Sequence, residues 1–214
     1  MLLLIFGSWI IRGIIWRKFD FIFLVILLLY KFIGNLNPTE VLKIYGVKRV
    51  KIIILLLYAL GITSIAFIVC SWILPKIMNI DVNKFTQLKS DFKIVELMSK
   101  KYPKIIIMME ILNFHIYGTF FEEFIFRGLI LRRLLKYNFY VANIIQAIIF
   151  GSFHLFGVMN MPMNYKLYMF ISPTIAGLML GYTYIKTDNN LTVPWLAHYL
   201  VNTVYFVLSI IMIT

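Results

Sequence analysis

Apolar residues run along this chain in blocks of about 20, the length that crosses roughly 30 Å of hydrocarbon as a helix. The blocks are Leu2–Trp16, Phe19–Ile33, Ile52–Leu74, Ile105–Leu131, Phe139–Phe156, Lys166–Ile185 and Leu191–Ile213. Each predicts a membrane helix, and the pattern as a whole predicts an all-α polytopic transmembrane bundle of about six to seven spans. The count is open at the N-terminus because the first two blocks are short and carry Arg12 and Lys31. They read as two tilted helices, or as one span preceded by an interfacial segment. A cleaved signal peptide fits less well, since Arg12 interrupts the apolar region and no small-residue cleavage site follows. There is no internal repeat and no low-complexity linker. The expectation is one membrane domain over residues 1–214, with accessory helices and a connector over 1–104 and core helices over 105–213.

Composition strengthens the membrane reading: 62% of the 214 residues are hydrophobic and only 14% are charged, against about half and a quarter in a soluble domain. The net charge of +12 would suggest nucleic acid in a soluble protein. Here the lysines and arginines gather between apolar runs, as the positive-inside bias of a membrane protein requires, and no nucleic-acid partner is expected. Lys43, Lys48, Arg49 and Lys51 precede the third block, and Arg132, Arg133 and Lys136 follow the fourth. Placing both clusters in the cytoplasm makes the uncharged loop Met159–Tyr165 external and leaves the C-terminus outside. The connector Pro75–Lys104 then lies outside despite its seven lysines, which runs against the rule. Cys70 is the only cysteine, so no internal disulfide can form.

Against this background the polar residues inside the blocks stand out. A carboxylate near mid-bilayer costs roughly 2.5–3.5 kcal/mol on insertion scales, and ionisable groups at that depth face a bundle interior or a hydrated cavity. Glu122, Glu123 and Arg127 lie within Ile105–Leu131. Glu123 and Arg127 stand four apart, on one helix face, where the arginine can pair with the carboxylate. Glu122 is turned about 100° away, so the adjacent acids are expected to play different roles. The fifth block sets Phe150 four residues before His154, and the seventh sets His198 four before Asn202. Two antiparallel helices turning near Asn138 bring Glu122 and His154, each 16 residues from the turn, to equal depth. His198 falls about 9 Å shallower on straight helices. Tilt, or a non-helical loop around Asn189–Pro194, is needed to make up the difference.

These residue types suggest peptide-bond hydrolysis. A glutamate in an apolar, partly hydrated pocket can act as general base on water, and a neighbouring imidazole can orient that water. His198 and the Asn202 amide can donate to the oxyanion of the tetrahedral intermediate, one such donor being worth about 10²–10³ in rate. Ser152, two residues before His154, points elsewhere on its helix and is a poor nucleophile candidate. Metal competes: Glu122, His154 and His198 could hold zinc with a fourth position open. The H-E-x-x-H signature is absent, so the cofactor question stays open between a divalent metal and none. Plainer readings exist for each group, including a buried ion-pair knot for the acids and arginine, and interhelical hydrogen bonding for His154. His115 reads as a packing or cavity-lining residue.

Taken together, Glu122-Glu123-Phe-Ile-Phe-Arg127, Phe150-Gly-Ser-Phe-His154 and His198-Tyr-Leu-Val-Asn202 resemble the three motifs of the CAAX-processing and bacteriocin-processing intramembrane protease family, also called Abi. The resemblance covers roughly Ile105–Ile213. It implies a multi-pass cell-membrane endopeptidase in which Glu122 activates water with His154, His198 and Asn202 form the oxyanion site, and Glu123 and Arg127 support the geometry. It implies a peptide or membrane-protein substrate, lipidated in some relatives. Relatives in bacteria are linked to bacteriocin maturation, self-immunity and peptide signalling. The family admits both a metalloprotease and a metal-free glutamate mechanism. A second reading from another class is a non-catalytic immunity or regulatory protein that keeps the fold and acts by binding. A transporter is more distant, for want of paired repeats or broken helices.

Overall fold

The computed structural model describes residues 46–82 and 115–213, with Glu40, Lys43 and Lys84. The expected spans Leu2–Trp16 and Phe19–Ile33, most of the connector, and the first turns of Ile105–Leu131 lie outside the described residues. The chain divides into two compact units, Met1–Val47 and Lys48–Thr214. In the first, Gly46 takes a φ of 97°, a left-handed turn that glycine adopts without steric cost. All that follows concerns the second unit, which is all-α, with no strand among the described residues.

Helix α1, Ile52–Ile77, is 26 residues long, about 39 Å at 1.5 Å per residue. It is, among the described residues, the one helix long and apolar enough by itself to cross a membrane. Only a thin stripe, Ala59, Ile62, Ala66, Cys70 and Pro75, is buried, while Ile53 and Leu57 are 64% and 69% exposed. A core helix of a soluble protein would bury such a face, and this one suits lipid. The expected end at Leu74 is overtaken: the helix continues through Pro75 to Ile77. It does so by widening into π-helical turns over Val69–Ile73. Proline has no N–H to give back to the preceding turn, and the Cys70 carbonyl five residues earlier instead accepts the Tyr168 hydroxyl at 2.7 Å.

Helix α2, residues 115–134, begins as α-helix, widens into π-helical turns at Phe124–Leu131 and closes with Arg132–Leu134. Helix α3, Phe139–His154, starts at the expected turn, where the Asn138 side chain accepts the N–H groups of Tyr140 and Val141, an N-cap of the ordinary kind. A 3₁₀ turn, Leu155–Val158, leads to α4, Met163–Lys186, and the chain ends in α5, Thr192–Ile213. The loop from α4 to α5 is tight, with Asp188 and Asn189 both at φ 56°. A long non-helical loop around Asn189–Pro194, one of the two ways of bringing His198 to depth, is therefore not what the chain adopts. Helix α5 resumes at Thr192, and Pro194 sits in its first turn, where a missing N–H costs nothing.

Two packings place the site. Helices α3 and α4 lie close along their length because small residues face each other, Ala147 and Gly151 on α3 against Gly177 and Gly181 on α4. A Cβ on Gly151 would meet the Phe170 carbonyl and Thr174, and one on Gly177 would meet Ala147 and Phe150. Helix α5 packs chiefly on α1, where Ala197 meets Ala59 and Ile62 in a cluster that Leu180 of α4 joins. At one end of the unit Lys48 Nζ donates to the Asp188 carbonyl at 2.6 Å, and Phe139 and Tyr182 stack edge-on at 6.5 Å. Lys48–Lys51 and Arg132–Lys136 thus share that end. The loop before α4 is at the other, where Ile80 clusters with Tyr165 and Tyr168.

Candidate active site

The α-to-π transition in α2 falls directly after Glu123. Glu122 and Glu123 end the regular α turns, and Arg127 lies inside the wide ones. Insertions of this kind are frequent at functional sites. They also bear on the depth problem: a wide turn advances less along the axis per residue than an α turn. Glu123 therefore sits nearer the α2–α3 loop than a straight α-helix would place it, the direction needed to meet His198.

Meet they do. The Glu123 Oε1 atom accepts the His198 Nδ1–H at 2.8 Å across 75 residues of chain and accepts Arg127 Nη1 at 2.8 Å from its own helix. Glu123 and Arg127 are both 0% exposed and His198 is 6% exposed. Arg127 Nη2 donates to the Gly177 carbonyl at 3.2 Å, and its guanidinium carbon lies 4.6 Å from the Phe150 ring centre, within cation–π range. Glu122 points another way, as the 100° step predicts. Its side chain is 25% exposed, and its Oε2 lies 3.7 Å from His198 Nε2.

Phe150 holds the remaining pieces together. The His154 ring packs edge-on against it at 4.7 Å and the His198 ring at 5.7 Å. His154 donates from Nδ1 to the Phe150 carbonyl at 2.9 Å. Because carbonyl and carboxylate oxygens only accept, both histidines carry their proton on Nδ1 when neutral and present Nε2 as an acceptor. Asn202 lies one turn beyond His198 on α5 and is half-buried. Its side chain makes no hydrogen bond to another described residue. His115 packs edge-on against Phe206 at 5.5 Å.

A ring whose Nδ1 is held by a fixed acceptor is the usual preparation for an Nε2 metal ligand, and both histidines have it. Yet among the described residues no three of histidine, cysteine, aspartate and glutamate converge closely enough to hold an ion. The zinc set Glu122, His154 and His198 does not fit as these residues stand.

Several residues that the motifs did not single out belong to this site. Gln146 Nε2 donates to the Gly177 carbonyl at 2.8 Å and to Asn143 Oδ1 at 2.9 Å, and Asn143 Nδ2 donates to the Leu178 carbonyl at 3.0 Å. The signal that could have found them is Ala147-x-x-x-Gly151 opposite Gly177-x-x-x-Gly181, the small-residue spacing that lets membrane helices approach.

No curated protein and no solved structure matches the chain. Residues 104–204 match the Rce1-like family model, described as type II CAAX prenyl endopeptidase Rce1-like. That stretch contains all three motifs and every residue of the buried cluster around Glu123. Over those residues the chain is similar to the Rce1-like type II CAAX prenyl endopeptidases, a family of membrane-embedded proteases.

Proposed function

We propose that this protein is a multi-pass intramembrane endopeptidase in which Glu122 activates water for attack on a peptide bond. One observation carries the reading: Glu122 Oε2 faces His198 Nε2 at 3.7 Å while the other edge of that ring is fixed by Glu123. Two acceptors so placed repel unless a donor lies within reach of both, and a water molecule supplies two N- or O-directed hydrogens. Held this way, the water turns its lone pair outward to a substrate carbonyl. Its oxygen bonds to the carbonyl carbon, its proton passes to Glu122, and negative charge collects on the carbonyl oxygen. Asn202, with an uncommitted amide one turn away, donates to that oxyanion. Glu122 then returns the proton to the departing amine nitrogen as the C–N bond breaks. His154, with its proton held on Nδ1, offers Nε2 as an alternative to His198 for the second of the water's hydrogens. His198 can join Asn202 as a donor only when it carries a second proton, because its first is committed to Glu123. Glu123 and Arg127 hold the geometry and take no part in bond making.

The basic end of the unit is assigned to the cytoplasm, and the site opens toward that half of a cell membrane, in bacteria the plasma membrane. The substrate is a membrane-associated peptide or protein. The family's prenyl specificity makes a lipidated C-terminal cysteine motif the first candidate, with bacteriocin maturation, self-immunity or peptide signalling as the biological setting.

The test uses purified protein in lipid with tagged membrane peptides, prenylated and unprenylated, with and without a strong chelator. Glu122→Gln and His154→Ala should each lower cleavage by about 10²–10⁴-fold, the usual contribution of general acid–base catalysis. Chelator should leave the wild type unaffected. Undiminished cleavage by both variants would sink the glutamate mechanism, and chelator-sensitive cleavage would replace it with a metal-dependent one. Full biological activity of Glu122→Gln in cells would favour the binding protein over the enzyme.

A further inference from the structure

Arg127 is an expensive residue to bury, and its anchors are few. The guanidinium has the Glu123 carboxylate, the Gly177 carbonyl and the Phe150 ring, and its Nε has no hydrogen-bond partner. Glu123 is held asymmetrically. Its Oε1 takes both the arginine and His198, while its buried Oε2 has no partner. Such a carboxylate gains nothing from its second oxygen. Any swing of Arg127 that turns the carboxylate therefore releases the His198 Nδ1–H, and with it the tautomer and tilt that aim Nε2 at Glu122. The backbone anchor, Gly177 O, stands with the Phe150 ring against such a swing, and Arg127 shares it with Gln146.

Gln146 is fully buried on α3 and reaches across to α4, where its amide donates to Gly177 O and, within its own helix, to Asn143 Oδ1. Those partners are oxygens, so the amide nitrogen must face them. Two glycines make room. Gly177 brings its carbonyl between the two donors at a point where a Cβ would press on Ala147 and Phe150. A Cβ on Gly181 would press into Asn143 Oδ1 and Gln146 Nε2. We propose that Gln146 is a positioning residue of this site: by gripping the Gly177 carbonyl it fixes Arg127, and through Arg127 and Glu123 it sets the His198 imidazole against Glu122. This rests on the catalytic reading above for its consequence in turnover, but not for its consequence in the geometry of His198.

Amides between membrane helices also serve simply as glue, so the test must read something that glue would not move. Full-length protein labelled with ¹⁵N-histidine, in lipid, reports the tautomer of each ring by NMR. In Gln146→Met, which keeps the length and removes the donor, His198 should lose its single Nδ1–H form and show mixed tautomers. His154, whose Nδ1 partner is a carbonyl of its own helix, should be unchanged. On a cleavable peptide the same variant should lose about 10–10²-fold in kcat, the scale of a small misplacement of reacting groups, with KM within about two-fold of wild type. An unaltered His198 signature in the folded variant would overturn the proposal, as would equal changes at both rings, which mark general loosening. Should Gln146→Met not fold, Gln146→Leu, which is smaller and equally without a donor, is read in the same way. A wild type that cleaves nothing would tell against the protease and leave the NMR result to decide the role of Gln146.

Discussion

Glu122 and Glu123 are neighbours in the chain with opposite surroundings. The first keeps a quarter of its side chain exposed and looks toward His198 Nε2; the second is sealed between an arginine and the other edge of the same ring. Burying a charge without its partner is strongly destabilising, by about 3–5 kcal/mol in soluble proteins. Glu123→Gln takes from Arg127 the carboxylate it is directly paired with, in a site already fully buried. That variant should lose several degrees or more of thermal stability along with activity. Glu122→Gln should lose activity at a smaller cost in stability, because its partly exposed carboxylate acts on the buried Arg127 charge only after Glu123. Thermal unfolding of the two variants side by side separates them, and equal melting temperatures would refute the division of labour. Sequence spacing alone predicted the Glu123–Arg127 pair, since four residues on a helix face fix the neighbour. The His198–Glu123 bond was not legible, because no local rule links residues 75 apart, and it changes what His198 has left to offer.

At the scale of elements, the departures from regular α-helix fall where the sequence gives the backbone a reason. In α1 the wide turns carry the helix past Pro75, and in α2 they follow the two acids and contain Arg127. Hydrophobic pattern located both helices but not the wide turns, since a run apolar on all sides has no period to betray one extra residue. The tight α3–α4 pair makes a sharper prediction. Gly151→Ala should destabilise the protein, because the backbone carbonyl of Phe170 stands where the new methyl would go. Gly61→Ala on α1, whose new methyl would have nothing within 4 Å of it, should instead stabilise the protein by up to about 1 kcal/mol, the difference in helix propensity. Denaturation of the two variants in the same lipid should give shifts of opposite sign. Shifts of the same sign would mean that the close approach of α3 and α4 is not what Gly151 provides.

For the whole molecule, the charge pattern and the fold agree on one axis. Lys48, Arg49, Lys51, Arg132, Arg133, Lys136 and Lys186 gather at one end of the described unit, with Asp188 the acid among them. Met159–Tyr165 lies at the other end. Tyr137 and Tyr140, 75% and 73% exposed, flank the basic end as interfacial aromatics do. His198 is six residues into α5 from that end, about 9 Å. If the positive end is cytoplasmic, cysteines placed at Lys51 and Lys136 should react with a membrane-impermeant thiol reagent from the cytoplasmic side. One placed at Asn160 should react from the outside, over a low background because native Cys70 is buried. Labelling of Lys51→Cys and Lys136→Cys from opposite sides would overturn the arrangement.

What the sequence determined by itself was whatever follows from local repetition and local spacing. Long apolar blocks define helices, a turn falls near Asn138, and residues four apart meet. The three motifs also carry the family resemblance, because their chemistry is written in residue type and interval. What only the tertiary structure decided was which atoms face which. That Glu123 takes both Arg127 and His198 on one oxygen, that Phe150 backs both histidine rings, and that Gln146 shares a carbonyl with Arg127 all depend on how α2, α3, α4 and α5 are offset along their axes. Those offsets come from wide helical turns, small-residue contacts and a tight loop. Each is a sum of small packing terms spread over many residues, with no signature at any single position.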